Sequence, residues 1–338
     1  MPIRFGLALL LTACGSSGDD AASTNDASTG GDVPMSGGDT STGTTPTTSD
    51  ATTTDALDST GMTGAVDSTG ADDSGLVDAR PYMLLVPDGY DPATPTPLVV
   101  MLHGYSATGV LQATYLRLLD DAQEHGYLLA YPDGTPDSAG NRFWNATDAC
   151  CNFEGAAVDD VAYLTALLDD VEANYNVDAD RIYVMGHSNG GFMSHRLACE
   201  IGDRIAAIAS LAGATWDDPA DCPAAAPVNV LQIHGTDDDT ISYDGGTTGT
   251  APYPSAPQTV AAWANNNGCG TTPTDDGTLD LEVTIAGEET SRQAFPDCVP
   301  GGDVALWTID GGSHIPTFDE AFADAVWAWF VAHPRPGA

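Results

Sequence analysis

The sequence contains no lysine. Its nine basic residues are all arginine, set against 49 aspartates and glutamates, for a formal charge of −40. Without an amine side chain, Schiff-base catalysis and the lysine of a Walker-type phosphate loop are excluded. A field of this sign repels phosphate backbones and anionic lipid headgroups, so neither a nucleic-acid partner nor a basic membrane-surface helix is expected. Acidity on this scale keeps an exported protein soluble. CxxC and HxxxH spacings are missing too, so no metal and no cofactor are expected. No stretch after the N-terminus is long and apolar enough to span a bilayer.

Large apolar side chains are almost absent between residues 15 and 75, which are built from Ser, Thr, Gly, Asp, Ala and Pro. Such a segment cannot bury enough surface to offset the entropy of ordering it, so residues 14–75 are expected to be a disordered tether. Ahead of it, residues 1–13 carry one arginine, a short apolar stretch and small residues, the pattern of a secretory signal. Leu11-Thr12-Ala13-Cys14 resembles the lipobox of bacterial lipoproteins, which implies lipidation at Cys14 and anchoring at the bacterial cell envelope or surface; the alternative is an ordinary signal peptide and an extracellular protein. A tether of this length would reach roughly 40 to 45 Å, enough to hold a domain clear of a membrane. That anchor is the only membrane contact expected. Six other cysteines, Cys150, Cys151, Cys199, Cys222, Cys269 and Cys298, suit disulfides in an exported protein. Cys269 and Cys298 bracket one excursion and are expected to pair; some pairing is expected among the other four.

Residues 76–338 alternate apolar runs with helical patterns. Strands are expected at 81–86, 98–102, 127–131, 181–185, 205–211, 228–233 and 304–309, most of them apolar throughout, as strands covered on both faces are. Helical periodicity appears at 111–125, 158–175, 191–200, 257–266 and 317–332. This alternation predicts an α/β domain: a mostly parallel central sheet with helices on both faces. No internal repeat is present.

Gly186-His187-Ser188-Asn189-Gly190 fits G-x-S-x-G. In a chain this rich in glycine and serine the pattern arises by chance roughly 0.2 times, so context has to decide. Here a strand precedes it and a helix follows, which is what a nucleophile elbow requires. A serine hydroxyl attacks only when a base takes its proton, and that base needs an acid to fix its tautomer. In this arrangement the acid and then the histidine follow the serine in the chain. His314 is the best-placed base, in the loop between the strand at 304–309 and the last helix, because His234 ends a strand and His333 ends a helix. The acid belongs to Asp237-Asp238-Asp239, directly after the strand at 228–233; the spacing H-G-x-x-D-x-x-I favours Asp238, with Asp239 as the alternative. Backbone N–H groups of Asn189 and Tyr105 are the expected oxyanion donors.

His103-Gly104-Tyr105, Tyr131-Pro132-Asp133-Gly134-Thr135, the run from Arg142 through Trp144 to Cys151, the elbow, and His234-Gly235-Thr236 together resemble polyhydroxybutyrate depolymerase-like and feruloyl esterase-like proteins of carbohydrate esterase family 1. The resemblance covers roughly residues 81–331. It implies an α/β-hydrolase fold and hydrolysis of carboxylic esters by a triad of Ser188, Asp238 and His314. Trp144 is expected to line the substrate cleft, with packing in the core as the alternative. The family commonly follows its histidine with tryptophan and proline, whereas His314 is followed by Ile315-Pro316, so the cleft is expected to differ in shape. The expected partner is an ester substrate, feruloyl or acetyl polysaccharide or aliphatic polyester, met by a monomer. Two rival readings are a peptidase of the prolyl-oligopeptidase kind, for whose propeller there is no room, and a non-catalytic surface binding protein, which would have no need of a full triad.

Overall fold

The structure, a computed structural model, describes residues 74–249 and 251–337. The expected signal, Cys14 and all but the end of the expected tether lie outside the described residues. The described chain starts inside helix α1 (Ser74–Ala79), so the last two residues assigned to the tether belong to a helix.

Thirteen strands follow in chain order: β1 (Leu84–Leu85), β2 (Thr96–Leu102), β3 (Leu128–Ala130), β4 (Thr135–Pro136), β5 (Arg142–Phe143), β6 (Val177–His187), β7 (Ala207–Leu211), β8 (Asn229–Gly235), β9 (Gly246–Thr248), β10 (Ala251–Tyr253), β11 (Thr274–Leu279), β12 (Thr290–Ala294) and β13 (Val304–Ile309). Nine form one sheet in the order β1-β3-β2-β6-β7-β8-β13-β12-β11. From β3 to β13 neighbours run parallel, while β1, β12 and β11 add antiparallel edges. β4 with β5 and β9 with β10 are short separate ribbons.

The helices are α2 (Gly109–Tyr115), α3 (Leu118–His125), α4 (Asp160–Asn174), α5 (Asn189–Ile201), α6 (Ala256–Asn266) and α7 (Glu320–Ala332). Alternation along the strands divides them between two faces. Leu98, Val100 and Leu102 of β2 pack in one apolar cluster with residues of α4, α5 and α6; Val99 and Met101 pack in the other with α2, α3 and α7. Every residue of β2 is buried, which is why that strand reads as an unbroken apolar run. This is the α/β-hydrolase fold.

Three elements depart from the sequence reading. The helix expected at 111–125 is two helices, broken at Arg117, whose φ is +58°. In one straight helix Leu116 and Leu118 would point about 200° apart; the left-handed residue between them lets both be buried. Leu111, the first residue of that periodic stretch, is exposed. β11 and β12 were not expected, because their polar sequences TDDGTL and TSRQA match an exposed edge and carry no apolar signal. At 81–86 only Leu84–Leu85 pairs as a strand.

The six cysteines form three disulfides: Cys269 with Cys298, Cys199 with Cys222, and the adjacent Cys150 with Cys151.

Candidate active site

β6 ends at His187 and α5 begins at Asn189, leaving Ser188 to make the whole turn at φ +55° and ψ −120°. A non-glycine residue held there costs on the order of 1 to 3 kcal/mol, a strain the surrounding packing must over-determine. The glycines make the turn possible. A Cβ on Gly186 would overlap the Gly190 carbonyl, and one on Gly190 would overlap the Leu102 carbonyl, so only hydrogens fit where elbow and β2 meet.

The C-terminal ends of β8 and β13 bring the other two groups to this point. His314 Nε2 lies 3.0 Å from Ser188 Oγ, and His314 Nδ1 lies 2.8 Å from Asp238 Oδ2. Asp238 Oδ1 accepts the N–H groups of Thr240 and Ile241 at 2.9 and 2.8 Å, which fixes the carboxylate plane. Burial on its own would push Asp238 up; hydrogen bonds from His234 and His314, and their charges, outweigh it and hold the carboxyl well below the usual range. Asp239, the alternative acid, lines the cavity and accepts a hydrogen bond from the Thr240 hydroxyl at 3.4 Å, whereas it is Asp238 that meets His314. A carboxylate, an imidazole and a hydroxyl in this order can deprotonate the serine and return the proton to a leaving group.

Asn189 opens α5, so its N–H has no carbonyl one turn back and points out of the helix start. Its side chain instead clamps the Trp144 backbone, with Oδ1 accepting the Trp144 N–H at 2.7 Å and Nδ2 donating to the Trp144 carbonyl at 2.9 Å. Tyr105 lines the cavity, and its hydroxyl donates to Asp137 at 2.6 Å. The cavity over Ser188 holds about 280 Å³ and is walled by Tyr105, the Cys150–Cys151 pair, Ile241 and Ile315.

Trp144 does not line that cavity; of the two places open to it, the structure puts it in the core. It is completely buried, with its indole N–H donating to the His103 carbonyl at 3.0 Å and its ring against His103. A tryptophan that finds a partner for its N–H inside the protein gains more from burial than from a place in an open cleft. Its segment is pinned on both sides: Asn145 N–H donates to the buried Asp160, and Arg196 donates to the Asn145 carbonyl. The residues that carry the family resemblance here therefore fasten the loop after β2 to the elbow, and it is the two cysteines at the end of the run that reach the cavity.

Three histidines at strand ends make supporting contacts that the sequence reading did not assign to them. His103 accepts the Gly134 N–H at 2.8 Å, His187 Nε2 donates to the His314 carbonyl at 2.9 Å, and His234 faces Asp238 at 3.3 Å. Their signal was present, since each stands next to a glycine at the C-terminal end of a strand, in His103-Gly104, Gly186-His187 and His234-Gly235. Away from the cavity, Asp121, His125 and Asp324 lie close enough to share an ion, but they are joined to one another by His125.

Residues 81–271 match the model of the family described as esterase PHB depolymerase. The chain is 27% identical over 267 residues to feruloyl esterase C of Emericella nidulans, covering 76% of this chain and 85% of that protein. It is 26% identical over 243 residues to feruloyl esterase B of Piromyces equi, covering 70% of this chain but only 42% of that protein's length. Among solved structures, an acetyl xylan esterase from Aspergillus awamori superposes with a TM-score of 0.53 at 16% identity, over 73% of this chain and 92% of that one, a likeness of fold. The family match, across more than half of the sequence, identifies the chain as a carboxylic ester hydrolase belonging to the esterase PHB depolymerase family.

Proposed function

We propose that the protein is a serine esterase that works through an acyl-enzyme intermediate, with Ser188 as nucleophile, His314 as base and Asp238 as the acid that orients it. The supporting observation is the continuous hydrogen-bonded line from Asp238 through His314 to Ser188, opening onto a cavity at the strand ends. His314 Nε2 takes the hydroxyl proton as Oγ attacks the ester carbonyl. The carbonyl oxygen becomes an oxyanion facing the N–H groups of Asn189 and Tyr105. Collapse expels the alcohol, which leaves with the proton held on His314, and water then repeats the sequence on the acyl-enzyme.

For substrate, we favour feruloyl or acetyl esters of polysaccharide over crystalline polyester. A second cleft of about 520 Å³ shares Thr248 with the first and is lined by hydrogen-bonding groups such as Asn152 beside the aromatic faces of Trp216 and Phe153. Aromatic faces with polar neighbours suit a hydroxyl-rich ring. Phe153 also stands edge-on to Tyr105, so the two spaces meet at one pair of rings. Three disulfides fit an exported enzyme, and Cys14 is the proposed lipid attachment point at the bacterial cell envelope.

Rates of wild type and Ser188→Ala on p-nitrophenyl butyrate test the mechanism: a loss of at least about a thousandfold is expected, and equal rates would refute it. Release of ferulate from methyl ferulate, set beside acetate release from acetylated xylan and clearing of a polyhydroxybutyrate suspension, tests the substrate. Activity on the polyester alone would overturn the polysaccharide assignment.

A further inference from the structure

Beneath the triad runs a line of buried polar side chains that the acyl-transfer mechanism leaves unused. Gln232 and His234 stand two residues apart on β8 and so share one face of the sheet. α5, which starts at the nucleophile, brings His195 against that face, and α6 brings Trp263. His195, Gln232 and Trp263 are completely buried, and His234 is nearly so.

The direction of every hydrogen bond in this line is fixed by groups that have no choice. The Trp263 indole can only donate, and it reaches His195 Nδ1 at 2.9 Å, so the His195 proton sits on Nε2, which faces Gln232 Oε1 at 3.0 Å. The Gly213 carbonyl can only accept, and Gln232 Nε2 lies 2.8 Å from it, which orients the amide the same way. The second hydrogen of that nitrogen faces His234 Nδ1 at 3.2 Å. The His234 proton is thereby sent to Nε2, where the Ile241 carbonyl at 2.7 Å and Asp238 Oδ2 at 3.3 Å share it. Three fixed groups, two of them carbonyls and one an indole, agree on one arrangement, and it ends on the triad acid.

We infer that the Trp263–His195–Gln232–His234 chain locks His234 as a second N–H donor to Asp238, making His234 a positioning residue for the carboxylate that orients His314. This role rests on the proposed triad. Burying four polar side chains in an apolar cluster is costly unless each is fully paired. An apolar set of the same volume would tie α5, α6 and β8 together equally well, whereas only a polar chain can deliver an N–H to Asp238. Burial holds His195 down to about 4, so it stays neutral and keeps its single proton across the working range.

The titratable groups facing Asp238 are His234 and His314, with His187 behind His314 and the Tyr253 hydroxyl nearby; Tyr243 stands edge-on to His234. Removing one N–H concentrates the carboxylate charge on His314 and stabilises its protonated form. His234→Met keeps the side-chain bulk without a donor, while His234→Gln offers an amide N–H at about the reach of Nε2. For His234→Met, kcat is expected to fall between about tenfold and a hundredfold with KM unchanged, and the acid limb of the kcat/KM profile to move upward. His234→Gln should stay within about threefold of wild type and keep its profile.

A measurement on the unaltered protein guards against a variant that does not fold. In 15N-histidine-labelled wild type near neutral pH, His195 and His234 are both expected as Nε2–H tautomers. A proton on Nδ1 of His234 overturns the chain outright. Equal kcat and equal pH limbs for the Met and Gln variants, alongside the expected loss in Ser188→Ala, overturn the positioning role while leaving the triad intact. A Ser188→Ala protein that keeps the wild-type rate overturns the triad reading, and the role assigned to His234 with it.

Discussion

Acidification should unfold this protein through imidazoles other than that of His314. Burial pushes His103 and His195 down to about 4 and His187 down to about 3. In the unfolded chain each returns to its ordinary value near 6.5. Between these limits the unfolded state binds protons that the native state refuses, so native stability is fully present above about pH 6.5 and is lost as pH falls toward about 4. Each imidazole contributes a slope of about 1.36 kcal/mol per pH unit, and the three together about 4 kcal/mol per unit. A domain with a total stability of about 5 to 15 kcal/mol cannot sustain that slope for long. Asp121, pushed up by burial, works against the trend, whereas Asp238, held low, adds to the loss beneath the window. Guanidinium unfolding at constant ionic strength from about pH 7 to about pH 5.5 gives the linked proton number from the slope of stability with pH. The expected uptake approaches three protons at the acid end, and His195→Gln should lower it by about one. An uptake below one proton would show that these rings are not held neutral by their surroundings. Because His103 and His187 hold the Gly134 and His314 segments in place, activity should disappear in the same transition.

Three other outcomes follow from the packing. Gly190→Ala drives a methyl into the Leu102 carbonyl and should cost about 3 kcal/mol or more; a chemical-denaturation curve matching wild type would refute the close approach. Trp144→Phe leaves the His103 carbonyl without its donor and should cost about 1 to 3 kcal/mol. Its kcat on p-nitrophenyl butyrate should fall more than KM rises, since the tryptophan fastens the loop after β2 and lies outside the cavity. Replacing Cys269 and Cys298 together by alanine opens a loop with a sequence separation of 29 and should lower stability by about 3 to 4 kcal/mol, with kcat on the same ester unchanged.

Much of the site was legible because strand-end chemistry leaves local marks. Ser188 announced itself through glycines on either side and through the strand and helix around them. His314 followed from chain order and from the loop it occupies. The acid was narrower in kind than in place: three adjacent aspartates look alike in one dimension, and only the direction of the Asp238 side chain toward His314, with the Thr240 and Ile241 amides behind it, separates them. The place of Trp144 stays open in the sequence, because an aromatic side chain next to such a motif reads the same whether it faces a cleft or a carbonyl. The break at Arg117 escaped notice because helical periodicity is insensitive to a single left-handed residue.

By itself the sequence determined what depends on neighbours along the chain: the strand cores, the elbow, and the absence of a lysine on which other chemistries rely. Tertiary structure decided everything that depends on direction across the sheet. It paired six cysteines, turned one aspartate of three toward the imidazole, and aligned Trp263, His195, Gln232 and His234 from two helices and a strand. Hydrogen bonds fix angles between groups that lie tens of residues apart in the chain, and no local pattern of residue types encodes those angles.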